Sequence, residues 1–134
     1  MDLSVRTDTI GQDKQSWLGS ASGTDTAVAG VIATSTFTAA THYPDGYIRS
    51  GTPVAKFTSG ANLGKFGPYV SAGTLGSGTL FGFVMTPARV PAGSTADTIA
   101  AIMDGSDGPR VIVANLPITV DAAGQASNSH FIYA

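Results

Sequence analysis

The sequence predicts a mostly β fold of short strands joined by turns. Two observations predict it. All nine acidic residues are Asp, with no Glu, and Lys and Gln number three each. The residues that best favour exposed helix are therefore nearly missing. Thr, Val, Ile, Phe and Tyr are plentiful, and 17 Gly and 7 Pro punctuate the 134 residues, as expected for half-buried strands between tight turns. Gly, Ala, Ser and Thr together make 65 of the 134 positions. Side chains this small fill one modest core, and such cores often lean on partner subunits.

Residues 1–36 read as an extended N-terminal arm and residues 37–134 as the β-rich domain. The first segment carries six of the sixteen charges and fifteen Ser, Thr or Gly. Asp2 to Ile10 alternates, with Leu3, Val5, Thr7 and Thr9 on one side and Asp2, Ser4, Arg6 and Asp8 on the other. Period two over that length is the pattern of a strand with one apolar face. Gly11 to Lys14 breaks it, and Trp17-Leu18 follows. The single Trp has two readings: it packs on its own domain, or it anchors in a partner's pocket.

Beyond Phe37 the turns are dense. Pro44-Asp45-Gly46 combines a preset φ, an Asp that bonds its own backbone and a Gly that accepts positive φ, which predicts a turn before Tyr47-Ile48-Arg49. Thr52 to Phe57 reads as a strand in which Pro53 sits at an edge or a start. Residues 59–69 read as loop, and Thr79 to Thr86 as a buried strand stopped by Pro87. Ser94 to Met103 has helical spacing behind a capping sequence. A hairpin of Thr98–Met103 with Arg110–Ala114 is the preferred reading, since Arg110-Val111-Ile112-Val113 is a strong strand that needs a neighbour. Val120 to Gln125 reads as a short helix with Asp121 near its start, and His130 to Ala134 as a terminal strand.

Chemistry is sparse. Gly60 to Phe66 is one residue short of a phosphate loop and has Phe where a hydroxyl must hold magnesium. Gly76-Ser77-Gly78-Thr79-Leu80-Phe81-Gly82 opens a strand, so no helix N-terminus awaits a pyrophosphate. His42 and His130 have no acidic or His partner at metal-ligand spacing, and no nucleophile elbow is present. Zero Cys removes thiolate chemistry and disulfides. The expectation is a non-enzyme without a metal or cofactor. A pI near 5.4 with seven scattered basic residues argues against a nucleic-acid partner. The longest apolar runs, such as Phe81 to Met85, are too short for a membrane span. The N-terminus has no signal-peptide pattern, so synthesis in a cytoplasm is expected.

Phe66 to Ala88 contains no charge. Either part of it faces another subunit, or it forms a hairpin buried within the monomer; both can hold.

Trp17-Leu18-Gly19-Ser20 with Gly23-Thr24-Asp25, then Phe37-Thr38-Ala39-Ala40-Thr41-His42-Tyr43-Pro44-Asp45-Gly46-Tyr47-Ile48 with Ser50-Gly51-Thr52, form a recognisable order. Gly67-Pro68-Tyr69, Gly82-Phe83, Arg89-Val90, Leu116-Pro117 and Val120-Asp121-Ala122-Ala123 continue it. Over nearly the whole chain this resembles the head decoration proteins of tailed bacteriophages, particularly those infecting actinobacteria. The loop after Tyr69 departs from that pattern, being glycine-rich and uncharged, and residues 94–109 are individual.

The resemblance implies a small β-barrel or β-tulip-like domain with an extended arm and at most one or two short helices. It implies a homotrimer on the outer surface of the virion, at three-fold and quasi-three-fold positions of the expanded head. There it would bind the major capsid protein and resist the pressure of packaged DNA. Leu3, Val5, Thr7, Thr9, Ile10, Trp17 and Leu18 would form the capsid-binding arm. Tyr43, Tyr47, Phe66, Tyr69 and Arg89 are candidates for the trimer or capsid interface. Two rivals are a virion-displayed glycan-binding β module using Tyr43, Tyr47 or Tyr69 as sugar platforms, and a small hydrolase with His42 or His130 beside a serine and an acid.

Overall fold

The computed structural model describes residues 15–19, 27–105 and 108–134. In chain order these form β1 (Val28–Ile32), a 3-10 turn (Thr34–Thr36), α1 (Ala39–His42), β2 (Tyr47–Ile48), β3 (Pro53–Lys56), β4 (Phe66–Pro68) and β5 (Gly82–Val84). Then come β6 (Ala88–Arg89), β7 (Thr98–Met103), β8 (Arg110–Val111), a second 3-10 turn (Val113–Asn115), α2 (Ala122–Ser127) and β9 (Ile132–Tyr133). The chain is mostly β with two short α-helices, as the composition predicts.

Five strands close into a barrel in the order β1-β4-β3-β5-β7. Its longest pairing is β1 against β7, antiparallel over five residue pairs from Val28↔Ile102 to Ile32↔Thr98. The barrel closes on the other side of β1 by a single parallel pair, Ile32↔Phe66, with Ala33 N–H donating to the Phe66 carbonyl at 2.9 Å. Two further two-stranded pairs, β2-β6 and β8-β9, flank it. Pro53 opens β3, the strand-start position that its missing N–H allows.

Strand periodicity divides the interior into two apolar clusters. Along β5, Val84 points into the barrel with Ile32, Ile48, Val54, Phe66, Val90 and Ile102, while Phe83 points out of it. Along β7, Ile102 and Met103 divide in the same way. Phe83 and Met103 meet Trp17, Leu80, Val111, Val120 and Phe131 in the second cluster. Two cores share one pair of strands because successive side chains alternate across a sheet. Burial of each large apolar side chain contributes about 1.5–3 kcal/mol. Phe83 is ringed by aromatics, 5.4 Å from Trp17 and 5.0 Å from Phe131 between ring centres.

Gly82 sits where β5 and β7 touch most closely: a Cβ there would collide with the Met103 carbonyl oxygen. Gly51 combines φ +88 with the Trp17 ring, whose Cδ1 would lie 2.7 Å from a Cβ. Both positions admit only glycine without rearrangement.

Several expectations are corrected. Val28–Ile32 is a barrel strand and Trp17 is core, so the division between arm and domain does not fall at residue 36. Residues 59–69 end in β4 rather than loop, because Phe66-Gly67-Pro68 pairs with Val54-Ala55-Lys56. Thr98–Met103 and Arg110–Val111 are strands but not a hairpin. The β7 strand takes β1 and β5 as neighbours, and β8 takes β9 in parallel: β7 serves both cores, through Ile102 and Met103, whereas β8 reaches only the second, through Val111. The charge-free run from Phe66 to Ala88 contributes Phe66, Leu80, Phe83, Val84 and Ala88 to the two cores, which accounts for most of its lack of charge.

Candidate functional site

The arm positions Leu3, Val5, Thr7, Thr9 and Ile10 lie outside the described residues. Trp17 does not: it is fully buried. Its indole N–H donates to Ser50 Oγ at 3.0 Å, and Ser50 Oγ–H donates to the Met85 carbonyl at 2.6 Å. The Trp17 carbonyl accepts from Ile112 N–H at 2.7 Å. Leu18 is half-buried, packs against the same cluster and forms an antiparallel bridge with Val111. The expectation that Trp17 belongs to a capsid-binding arm is corrected, because its apolar surface is already spent on its own domain, whereas Leu18 keeps part of its surface open.

The five interface candidates divide. Tyr47 and Arg89 lie directly opposite each other in the β2-β6 pair. Tyr43 caps the end of α1 and packs against the barrel core. Phe66 is buried inside the barrel, edge-to-face with Phe81 at 4.8 Å, and this corrects its assignment as a surface contact. Tyr69 stands apart from these residues, its hydroxyl donating to Asp121 Oδ1 at 2.8 Å. The same carboxylate accepts from Gly124 N–H at 2.8 Å and so caps α2. Hydrogen bonds from the Ser71 hydroxyl, Gly124 N–H and Tyr69 hydroxyl hold the Asp121 carboxyl below its ordinary range. Desolvation and the adjacent Asp121 push the Tyr69 phenol up. That arrangement is a structural cap.

Among the described residues two open grooves bear on these expectations. The first, about 670 Å³, is lined by Lys56, Thr79, Phe81, Asp104, Ser127 and His130 among others. It gathers a histidine, a serine and an acid, as the hydrolase reading expects. Yet the Ser127 hydroxyl donates to the Gly124 carbonyl at 2.7 Å and accepts from Leu80 N–H at 2.9 Å. No hydrogen bond joins the His130 imidazole to a serine among the described residues. The second groove, about 650 Å³, runs between α1 and Val90 to Thr95, and Tyr43, Pro44 and Pro91 line it without a charged group. His42 lies beside it, with Nδ1 accepting from Thr38 N–H at 2.8 Å and burial holding its pKa below the ordinary value.

A third surface escaped the sequence reading. On the outside of the barrel Val31 of β1 lies opposite Ile99 of β7, and these side chains are 40% and 71% exposed. Ala29 and Ala101 form the neighbouring pair on that face. The signal was present in Thr98-Ile99-Ala100-Ala101-Ile102-Met103, a strand apolar on both faces, which calls for a cover on both.

Among the described residues no group of three His, Cys, Asp or Glu is placed to hold a metal ion, and no helix is long and apolar enough to cross a membrane. Comparisons with family models, curated proteins and solved structures found no match.

Proposed function

We propose that this protein is a capsid decoration protein, a non-enzymatic cement that binds as a homotrimer to the major capsid protein at three-fold and quasi-three-fold positions of an expanded phage head. One observation carries the reading beyond the resemblance itself. Residues that define the resemblance, distant in sequence, touch one another in the fold. Trp17 bonds Ser50 and presses on Gly51, whose other would-be neighbour is Pro117. Phe83 stacks on Trp17, Arg89 pairs with Tyr47, and Asp121 caps α2 and holds Tyr69. An order of short motifs that coheres in space in this way supports a shared architecture rather than a coincidence of small residues.

The alternating stretch from Asp2 to Ile10 suits addition as a strand to an edge of a capsid-protein sheet. Main-chain hydrogen bonds would give affinity, and Leu3 and Val5 would enter pockets. One ordered segment binds weakly, because ordering it is costly. Three on one trimer reinforce each other through effective concentration, by about 10² to 10⁴. Expansion of the shell then acts as the switch, presenting three sites at the matching spacing.

Co-sedimentation with expanded and unexpanded shells tests this, using the full chain and a version lacking residues 1–14. Saturable binding to expanded shells, weakened by the truncation, is expected. Failure of the full chain to bind either shell would remove the decoration reading, and equal binding to both shells would remove the switch.

A further inference from the structure

We infer that the single turn of α1 is a pH-sensitive latch on the charge-free groove beside it: the neutral His42 imidazole ties the turn closed, and protonation of that ring releases it. The inference stands apart from the decoration reading.

One side chain makes the latch. A helix N-terminus is commonly closed by a Glu or Gln near its start that reaches back to the N–H of the cap residue. This chain has no Glu. At α1 the cap residue is Thr38, whose own side chain makes no capping bond. Its N–H is taken instead by Nδ1 of His42, at 2.8 Å. A carboxylate would accept such a bond down to about pH 4, whereas an imidazole nitrogen accepts it only while the ring is neutral. With His in place of the usual acid, closure of this turn falls within the physiological pH range.

Little else holds the turn. The helix has four residues, none of them buried, and one so short is not stable by its own backbone bonds. Thr38 closes it twice, since its carbonyl also accepts from the N–H groups of Thr41 and His42, at 3.2 and 2.8 Å. On one side the His42 ring lies edge-to-face with Phe37, 5.1 Å between ring centres, and Phe37 is buried in the barrel core. The imidazole thereby couples the turn to that core. On the other side Ala39, Ala40 and Tyr43 form one wall of the groove, with Val90 and Pro91 also lining it. Protonation places a hydrogen on Nδ1 that points at the Thr38 N–H. Two donors cannot share that distance, so ring and amide part, and the groove wall moves with the turn.

The surrounding elements do not override the ring. Thr34–Phe37 and, at the groove, Val90–Ala96 contain no charged or titratable residue. The turn after α1 carries Tyr43, Asp45 and Tyr47, and the Asp45 carboxylate accepts the Tyr47 N–H at 3.3 Å. Arg49 follows β2, and Arg89 of β6 lies opposite Tyr47. The imidazole pKa is nonetheless lowered, and burial is the chief cause. The closed turn therefore binds the proton less readily than the open one. Closure is whole above the ordinary value of 6.5 and is lost progressively as the pH falls below it.

The test is an NMR titration of the isotope-labelled full chain from about pH 7.5 to about pH 5, the span over which histidine changes charge. The Cα shifts of Ala39 and Ala40 are expected to leave helical values with the midpoint of the His42 imidazole, below 6.5. The amide signals of Val90 and Ala92 should move with the same midpoint. His42→Asn carries an amide oxygen on Cγ where Nδ1 stood, which accepts the same N–H without titrating. In that variant the α1 shifts should stay helical and independent of pH. An α1 that keeps its helical shifts while His42 titrates, or one that opens with a different midpoint, would overturn the inference. So would a His42→Asn variant whose turn still opens with the wild-type midpoint. The wild-type titration decides by itself, whether or not the variant folds.

Discussion

Trp17 donates its indole N–H to Ser50 Oγ across 33 positions of sequence, at 3.0 Å and out of contact with water. Ser50 passes the interaction on to the Met85 carbonyl, and Gln15 Nε2 donates to that same carbonyl at 2.9 Å. The segment Gln15–Gly19 is thereby fastened to the barrel.

The first prediction concerns this fastening. Trp17→Ala should cost about 3–5 kcal/mol, the range for truncating a buried aromatic. Ser50→Ala should cost about 1–3 kcal/mol, by leaving the indole N–H buried and unpaired. Urea unfolding followed by circular dichroism reads both. A loss below half a kcal/mol for Ser50→Ala, taken as about the size of a neutral surface change, would mean the bond is not made.

Close strand packing gives the second. Gly82→Ala drives a methyl group into the Met103 carbonyl and must part β5 from β7. Gly64→Ala shares the positive φ of Gly51 but meets nothing nearby. The expected order of destabilisation is Gly82→Ala first and Gly64→Ala well behind, measured as shifts in Tm. The reverse order would contradict the β5-β7 register.

A third prediction is a pH dependence. Burial lowers the His42 pKa from its ordinary 6.5, and Nδ1 accepts a hydrogen bond that a protonated ring cannot accept. The unfolded chain therefore binds the proton more readily. The His42 contribution to stability is whole above pH 6.5 and declines as pH falls through 6.5 toward the lower folded value. His42→Ala should flatten that part of the stability profile. A profile unchanged by the substitution would contradict the half-buried, neutral imidazole.

The fourth sets function against the hydrolase alternative. His42→Ala and His130→Ala together should leave shell binding within twofold of the wild type, since neither imidazole belongs to the proposed contacts. A tenfold loss with the fold intact would draw the groove lined by Asp104, Ser127 and His130 into the function.

Much of the fold was legible. Absent Glu and scarce Lys and Gln predicted strands, Pro44-Asp45-Gly46 predicted the turn that follows α1, and Asp121 predicted the start of α2. Pairing was less legible. Arg110-Val111 reads as a strand from its residue types, but nothing local indicates that its parallel partner lies some twenty residues on at Ile132-Tyr133. The Val28–Ile32 strand was hidden by the polar, glycine-containing stretch before it, and its identity rests on contacts with β7 about seventy residues away. Phe66 illustrates the limit for surface contacts. Aromatic residues next to glycine and proline suit an interface as well as a core, and only the closing pair with Ile32 decides between them. Ile99 was missed because an apolar residue in a short apolar strand is ordinarily assigned inward, and its outward direction follows from register alone.

Decoration itself is tested most directly by imaging expanded shells after incubation with the purified full chain, with icosahedral and local three-fold averaging. The account predicts added density of three chains over each three-fold and quasi-three-fold position, and none on unexpanded shells. Shells that remain bare at those positions, with the protein folded and in excess, would contradict it.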